Sequence, residues 1–178
     1  MSHIETKRSR NGHTGAKSRL NPTHNDLPQT TRRDVIELLN ARLADGSDLY
    51  SQVKQAHWNV KGANFIALHK LFDKVAEEVE EAVDQIAERA VQLGGTAMGT
   101  ARLAAANSSL EEYPHEITDS ADHVEALSKA LATFGAGVRA GIETADGLGD
   151  ADTADLFTQV SRMVDKNLWF VESHAQGR

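Results

Sequence analysis

The chain has 178 residues, 40% of them hydrophobic and 25% charged, which suits one globular domain with a real core. It contains no cysteine, which excludes a disulfide framework and any thiolate metal site. No apolar run is long enough to span a bilayer and the first thirty residues lack a signal-peptide h-region, so the expectation is a soluble cytoplasmic protein with no membrane partner.

The formal net charge of −7 is unevenly spread. Residues 1–33 hold seven basic groups (Lys7, Arg8, Arg10, Lys17, Arg19, Arg32, Arg33) against Glu5 and Asp26, a balance of +5. The remainder holds twelve basic and twenty-four acidic groups, a balance of −12. Residues 1–30 are polar, rich in Gly, Ser, Asn and Pro, and too poor in apolar groups to offset their ordering entropy, so they read as a flexible basic tail ahead of a domain at 31–178. Lys7, Arg8, Arg10, Lys17 and Arg19 are the candidate contacts to DNA phosphates, made by counterion release. No aromatic residue interleaves them, so such binding is sequence-independent. The competing reading of the segment is a solubilising extension. His3, His13 and His24 are a weak metal-binding candidate, given their wide spacing.

A first helix is expected from Thr31, where Thr31-x-x-Asp34 has the form of a capping arrangement, to a turn at Lys61-Gly62. Its apolar stripe is Leu39, Leu43, Gly46, Tyr50, Val53 and His57. The second runs from about Asn64 to Leu93, with apolar residues at 65, 68, 72, 75, 79, 83 and 86, and stops at Gly94-Gly95. The connection from Thr96 to Ile117 is long for a loop and carries a short helix at Ala101–Ala106. Pro114 breaks the pattern. A third helix follows from Thr118 to Ala145 (Val124, Leu127, Leu131, Phe134, Val138, Ile142), then a turn over Asp146–Asp152. The fourth runs from Thr153 to His174 (Leu156, Val160, Met163, Leu168, Val171). Four long amphipathic helices without strand-like alternation make an all-α bundle, and the long second connection predicts a crossover.

Two histidines and three carboxylates stand beside the turn and the second helix: His57, His69, Asp73, Asp84 and Glu88. They form a donor set for iron, manganese or zinc. His69 and Asp73 share a helix face, as do Asp84 and Glu88. Asp73 and Glu88 nevertheless lie roughly 22 Å apart at ~1.5 Å per residue, so one helix cannot gather them. Two antiparallel copies can. The pairs His69/Glu88 and Asp73/Asp84 share one midpoint, between Glu78 and Val79, so a two-fold axis there sets each opposite its partner, twice per dimer. A hairpin centred near residue 63 adds His57 to His69. The competing reading is a solvated acidic face plus two core or capping histidines. Trp58 reads as a packing residue first and as the nearest easily oxidised side chain second. The Glu-x-x-His pairs of a di-iron bundle core are missing, since the single candidate, Glu112 to His115, contains Pro114. That favours an interface site.

KQAHWNVKGANFIALHKLFD, followed by AERAVQLGG and later by DTADLF and DKNLWFVESH, resembles the Dps proteins, the DNA-protecting mini-ferritins of starved bacteria, over about residues 31–174. The resemblance implies a ferritin-like four-helix bundle assembled from dyad-related dimers into a hollow homo-dodecamer. His57, His69 and Asp73 of one subunit, with Asp84 and Glu88 of its mate, would be the iron ligands of a ferroxidase that uses hydrogen peroxide on ferrous ion and stores the ferric mineral. It further implies non-specific DNA binding through the basic tail and a place in the bacterial nucleoid. Asp152 and Asp155 would line an iron-entry pore at a three-fold axis, with Asp146 and Asp150 nearby; capping and dipole stabilisation of the last helix is the alternative role for these carboxylates. The alternative function is a nucleoid-structuring DNA-binding protein with weak or vestigial iron oxidation.

Overall fold

The computed structural model describes residues 20–176. Five helices make up the fold: α1 (Gln29–Asn59), α2 (Phe65–Gln92), α3 (Ala101–Asn107), α4 (Ser120–Gly147) and α5 (Ala151–Glu172). α1 packs along α2 and α4 along α5, with α1 against α4 and α2 against α5 closing the bundle. A parallel bridge between Lys61 and Asp119 brings the start of α4 to the α1–α2 turn. α2 and α4 therefore run the same way, and the connection between them must traverse the bundle's length. This is the expected crossover, and α3 lies within it, against α1. Buried Asp45 on α1 holds the crossover down, accepting from the Ser109 backbone N–H at 2.7 Å and hydroxyl at 3.0 Å.

The periodic stripes explain why these segments are helices. Leu39, Leu43 and Val53 of α1, Leu68, Phe72, Val75, Val79 and Ile86 of α2, and Val124, Leu127, Leu131, Phe134 and Val138 of α4 are all buried in one core. Gly46 lets α1 approach closely: a Cβ there would stand 2.9 Å from Val83 Cγ2 and 3.4 Å from Phe134 Cζ. In α5 the buried face is Phe157, Val160, Val164, Asn167 and Val171, while Leu156, Met163 and Leu168 are only partly buried. Val160 and Val171 of the expected stripe are buried, but Phe157 and Val164 turn inward in place of Leu156 and Met163.

α1 starts two residues before the expected Thr31 cap. Pro28 (φ −52°) occupies the N-cap position, and its carbonyl takes the Arg32 N–H at 3.0 Å. The proline ring pre-sets the entry angle, and no side chain caps this end. Thr31 sits inside the first turn and its hydroxyl donates to Leu148 O at 3.4 Å.

The sequence places the tail boundary at residue 30, but residues 20–28 lie against the body. The Asn21 N–H donates to Gly94 O at 2.8 Å, and Leu20 and Leu27 pack on the core. Arg32 ties both sides together, donating to Leu27 O at 3.2 Å and Leu93 O at 3.0 Å. Gly94 ends α2 in a Schellman turn: its N–H bonds Val91 O and the Gly95 N–H bonds Ala90 O, both at 2.9 Å. Its φ is +89°, and a Cβ would come within 2.7 Å of Asn21 O. Gly94→Ala is therefore expected to destabilise the protein by about 1–3 kcal/mol and to loosen residues 20–28. Urea unfolding and limited proteolysis of that segment check this; an unchanged cleavage rate would show that Gly94 does not hold the strap.

Candidate metal centre

The α1–α2 hairpin brings His57 and His69 face to face. Their rings stack with centroids 3.8 Å apart and planes 20° from parallel. His57 Nδ1 lies 2.7 Å from His69 O, and His69 Nδ1 lies 2.9 Å from His57 O. A carbonyl oxygen only accepts, so each Nδ1 carries the proton and each Nε2 presents a lone pair. This is the tautomer a metal-binding imidazole needs, fixed by backbone.

Asp73 stands one turn on from His69. Its Oδ1 is 3.7 Å from His57 Nε2. That is less than twice the ~2.1 Å reach of a nitrogen or oxygen ligand, so one ion could touch both. The same oxygen accepts from Lys54 Nζ at 2.7 Å. The Lys54 hydrogen bond holds the Asp73 carboxyl below its ordinary pKa, with the Lys54 charge acting the same way against partial desolvation. Reciprocally, the Asp73 bond raises the Lys54 ammonium. The Asp73 carboxyl is 46% exposed, so screening keeps the pair's contribution to stability small. Lys54 is the site residue the sequence reading missed; the signal was its place one turn before His57 on α1.

Asp84 and Glu88 are exposed. They continue an uncovered stripe of α2 through His69, Asp73, Glu77 and Glu80, at steps of three and four. Asp84 is roughly 16 Å along the helix from Asp73, and the structure does not bring it to the histidines. Among the described residues of one chain, no three His, Cys, Asp or Glu side chains converge closely enough to hold a metal. Glu78, beside the expected two-fold, is bound to α5 by Lys166 (2.7 Å) and Asn167 (2.8 Å). Burial works against its charge, yet those two hydrogen bonds carry its pKa below the ordinary value. Trp58 does not pack within the protomer: it is 66% exposed, with Lys54 Nζ 5.9 Å from its ring centre. Phe65, expected on the buried stripe of α2, is exposed, as is Ile66.

At the α4–α5 turn the four aspartates separate. Asp146, Asp152 and Asp155 are exposed. Asp150 is 2% exposed and occupied as the N-cap of α5, accepting the Thr153 N–H at 3.0 Å and its hydroxyl at 2.6 Å. Arg89 of α2 reaches the same carboxylate at 2.7 Å. Asp150 therefore leaves the pore set: its oxygens face inward and are used. Glu112 and His115 meet at 3.2 Å in the exposed segment around Pro114, outside any helix, as expected. Lys7, Arg8, Arg10, Lys17 and Arg19 lie outside the described residues.

A bundle of four long helices with one crossover, and carboxylate and imidazole donors on its second helix, defines the ferritin-like class, and the ferritin-like domain family matches residues 36–177. The chain is 44% identical over 154 residues to the DNA protection during starvation protein of Agrobacterium fabrum, covering 86% of this chain and 95% of that one. It superposes on DpsC from Streptomyces coelicolor with a TM-score of 0.85 at 30% identity, covering 91% and 94% of the two chains. An archaeal Dps homologue from Halobacterium salinarum gives 0.86 at 25% identity, covering 95% and 94%. Within the ferritin-like class, this chain belongs to the Dps family. No helix among the described residues is long and apolar enough to cross a membrane.

Proposed function

We propose that the protein oxidises ferrous ion with hydrogen peroxide at sites shared between two-fold-related protomers, and stores the ferric product inside a dodecameric shell. The observation that carries this reading is the reciprocal backbone lock on His57 and His69, which leaves two Nε2 lone pairs beside the Asp73 carboxylate. Iron is the substrate. Imidazole nitrogen and carboxylate oxygen suit it, and a site with few protein ligands leaves positions open to peroxide. Two ferrous ions give one electron each, the O–O bond breaks, and two protons complete two waters, so no hydroxyl radical escapes. Asp84 and Glu88 of the facing protomer supply the remaining carboxylates. Lys54 holds Asp73 in place until an ion replaces it. Asp146, Asp152 and Asp155 bring negative charge to the shell's entry path, where they concentrate cations.

The test mixes the protein anaerobically with ferrous salt, adds peroxide, and follows ferric absorbance together with the oligomer's mass. Two irons oxidised per peroxide in a twelve-subunit particle is the expected result; no peroxide-dependent oxidation would overturn it.

Protection of DNA extends the proposal. Its support is the basic balance of residues 1–33 and the name borne by the Agrobacterium relative. If the five candidate cations each neutralise one phosphate, log affinity should fall against log salt with a slope of about −4 to −5. Removing residues 1–19 should abolish gel retardation. Retardation without peroxide-driven oxidation would favour the nucleoid-structuring reading instead.

A further inference from the structure

Outside the metal centre one buried pair has the makings of a redox device. Tyr113, in the crossover after α3, is 6% exposed, and His123, in the first turn of α4, is 1% exposed. The phenol oxygen lies 2.6 Å from His123 Nδ1. Burial pushes the phenol far above its ordinary pKa and pushes the imidazole below its own, so both are neutral together. The Asn59 backbone favours the protonated ring against that burial, and Nε2 is buried without a hydrogen-bond partner. The tautomer with the proton on Nε2 leaves Nδ1 free to accept from the phenol. The reverse tautomer would leave the phenolic proton buried with no acceptor.

That arrangement gives the phenolic proton a place to go when the ring is oxidised. Losing the proton to solvent would leave a buried phenolate, whereas losing an electron and passing the proton 2.6 Å to His123 leaves a neutral phenoxyl beside an imidazolium. The pair is also linked to the end of α1 that carries His57. Asn59 is two residues on from His57, and Trp58 and Tyr113 line one cleft of about 600 Å³ together with Gln52, Gln55 and Glu112. The Lys54 ammonium near the Trp58 ring disfavours a positive charge resting there. A hole arriving at Trp58 is thereby encouraged to move on.

We propose that Tyr113 and His123 form an internal one-electron donor that quenches incomplete peroxide reduction, with Trp58 as the intermediate carrier. The proposal rests on the ferroxidase reading and concerns the failure that reading must face, a site holding a single ferrous ion. One ferrous ion gives peroxide one electron, the O–O bond breaks, and hydroxide and hydroxyl radical result. The radical takes its second electron from Trp58 and becomes hydroxide. Trp58 is refilled from Tyr113, whose proton moves to His123 Nδ1. The sum is one ferric ion, two hydroxides, one tyrosyl radical and one imidazolium, with atoms and charge conserved.

The chain has two tyrosines, Tyr50 and Tyr113, so the radical can be assigned by substitution. Assembled protein carrying less than one ferrous ion per site is mixed with peroxide, freeze-quenched and examined by electron paramagnetic resonance, while ferric formation is followed in the same samples. A tyrosyl signal present in the wild type and in Tyr50→Phe, and lost in Tyr113→Phe, is expected. Trp58→Phe should slow its appearance at least several-fold. His123→Gln should diminish it, and hydroxyl radical caught by an external spin trap should rise in Tyr113→Phe. Normal ferric formation without a tyrosyl signal, or with one that survives Tyr113→Phe, overturns this proposal and leaves the ferroxidase reading standing. Absence of ferric formation overturns both. A purely structural role for the pair would alter unfolding in Tyr113→Phe without moving the radical or spin-trap yields, and that result also overturns it.

Discussion

Shells co-assembled from His69→Ala and Asp84→Ala protomers should oxidise iron although neither variant does so alone. Each variant by itself has one defective half in every site, and loss of at least about 10–100-fold is expected, the cost of disturbing even a ligand's supporting partner. In a mixed dimer one site combines both defects and the other combines two intact halves. Random pairing then restores about a quarter of all sites. The measurement is the initial rate of peroxide-driven ferric formation in co-expressed, doubly tagged shells against the two parents. Recovery near zero in shells shown by mass to contain both chains would mean that His69 and Asp84 do not serve one site from opposite protomers. The prediction follows from geometry within one chain: His57, His69 and Asp73 converge, whereas Asp84 and Glu88 stand farther along an uncovered face of α2.

Arg89→Ala should be the most damaging substitution outside the apolar core. Arg89 donates to Asp150 at 2.7 Å and to the Thr153 hydroxyl at 3.0 Å, and its partner carboxylate is 1% exposed. Removing the guanidinium leaves a buried carboxylate with only neutral donors, a defect that costs about 3–5 kcal/mol. Because Asp150 also caps α5, the loss should reach the α4–α5 turn as well as the end of α2. Guanidinium unfolding at neutral pH gives the number. Asp152→Ala is the control: Asp152 is 3.8 Å from the same arginine but exposed, so its removal should cost under about 1 kcal/mol. Equal effects from the two variants would deny burial the role assigned to it here.

The sequence carried the bundle because apolar spacing survives whatever tertiary partner a helix meets. It also carried the His57–His69 encounter, since a tight turn reflects residues about its centre. It did not disclose Lys54, because a lone lysine has no period to mark it, and its partner Asp73 lies nineteen positions away. It placed part of the α5 stripe one residue off. Val160 and Val171 are buried as expected, but Phe157 and Val164 displace Leu156 and Met163, and only packing decides which of two adjacent apolar rows turns inward. Asp150 had a legible signal, an aspartate three residues before Thr153, but four neighbouring aspartates made the cap indistinguishable from a surface cluster. The Tyr113–His123 pair joins a loop to a helix, and no spacing rule reaches across that junction.

The two imidazoles of the hairpin each give their Nδ1 proton to the other residue's main chain, while their rings stack. Exchange of one histidine for another donor removes that donor and its half of the stack, but leaves the backbone carbonyl that fixes the survivor's proton. The turn behaves as a socket whose two pins share a wall, and ion preference can be retuned one position at a time without rebuilding the backbone that carries them.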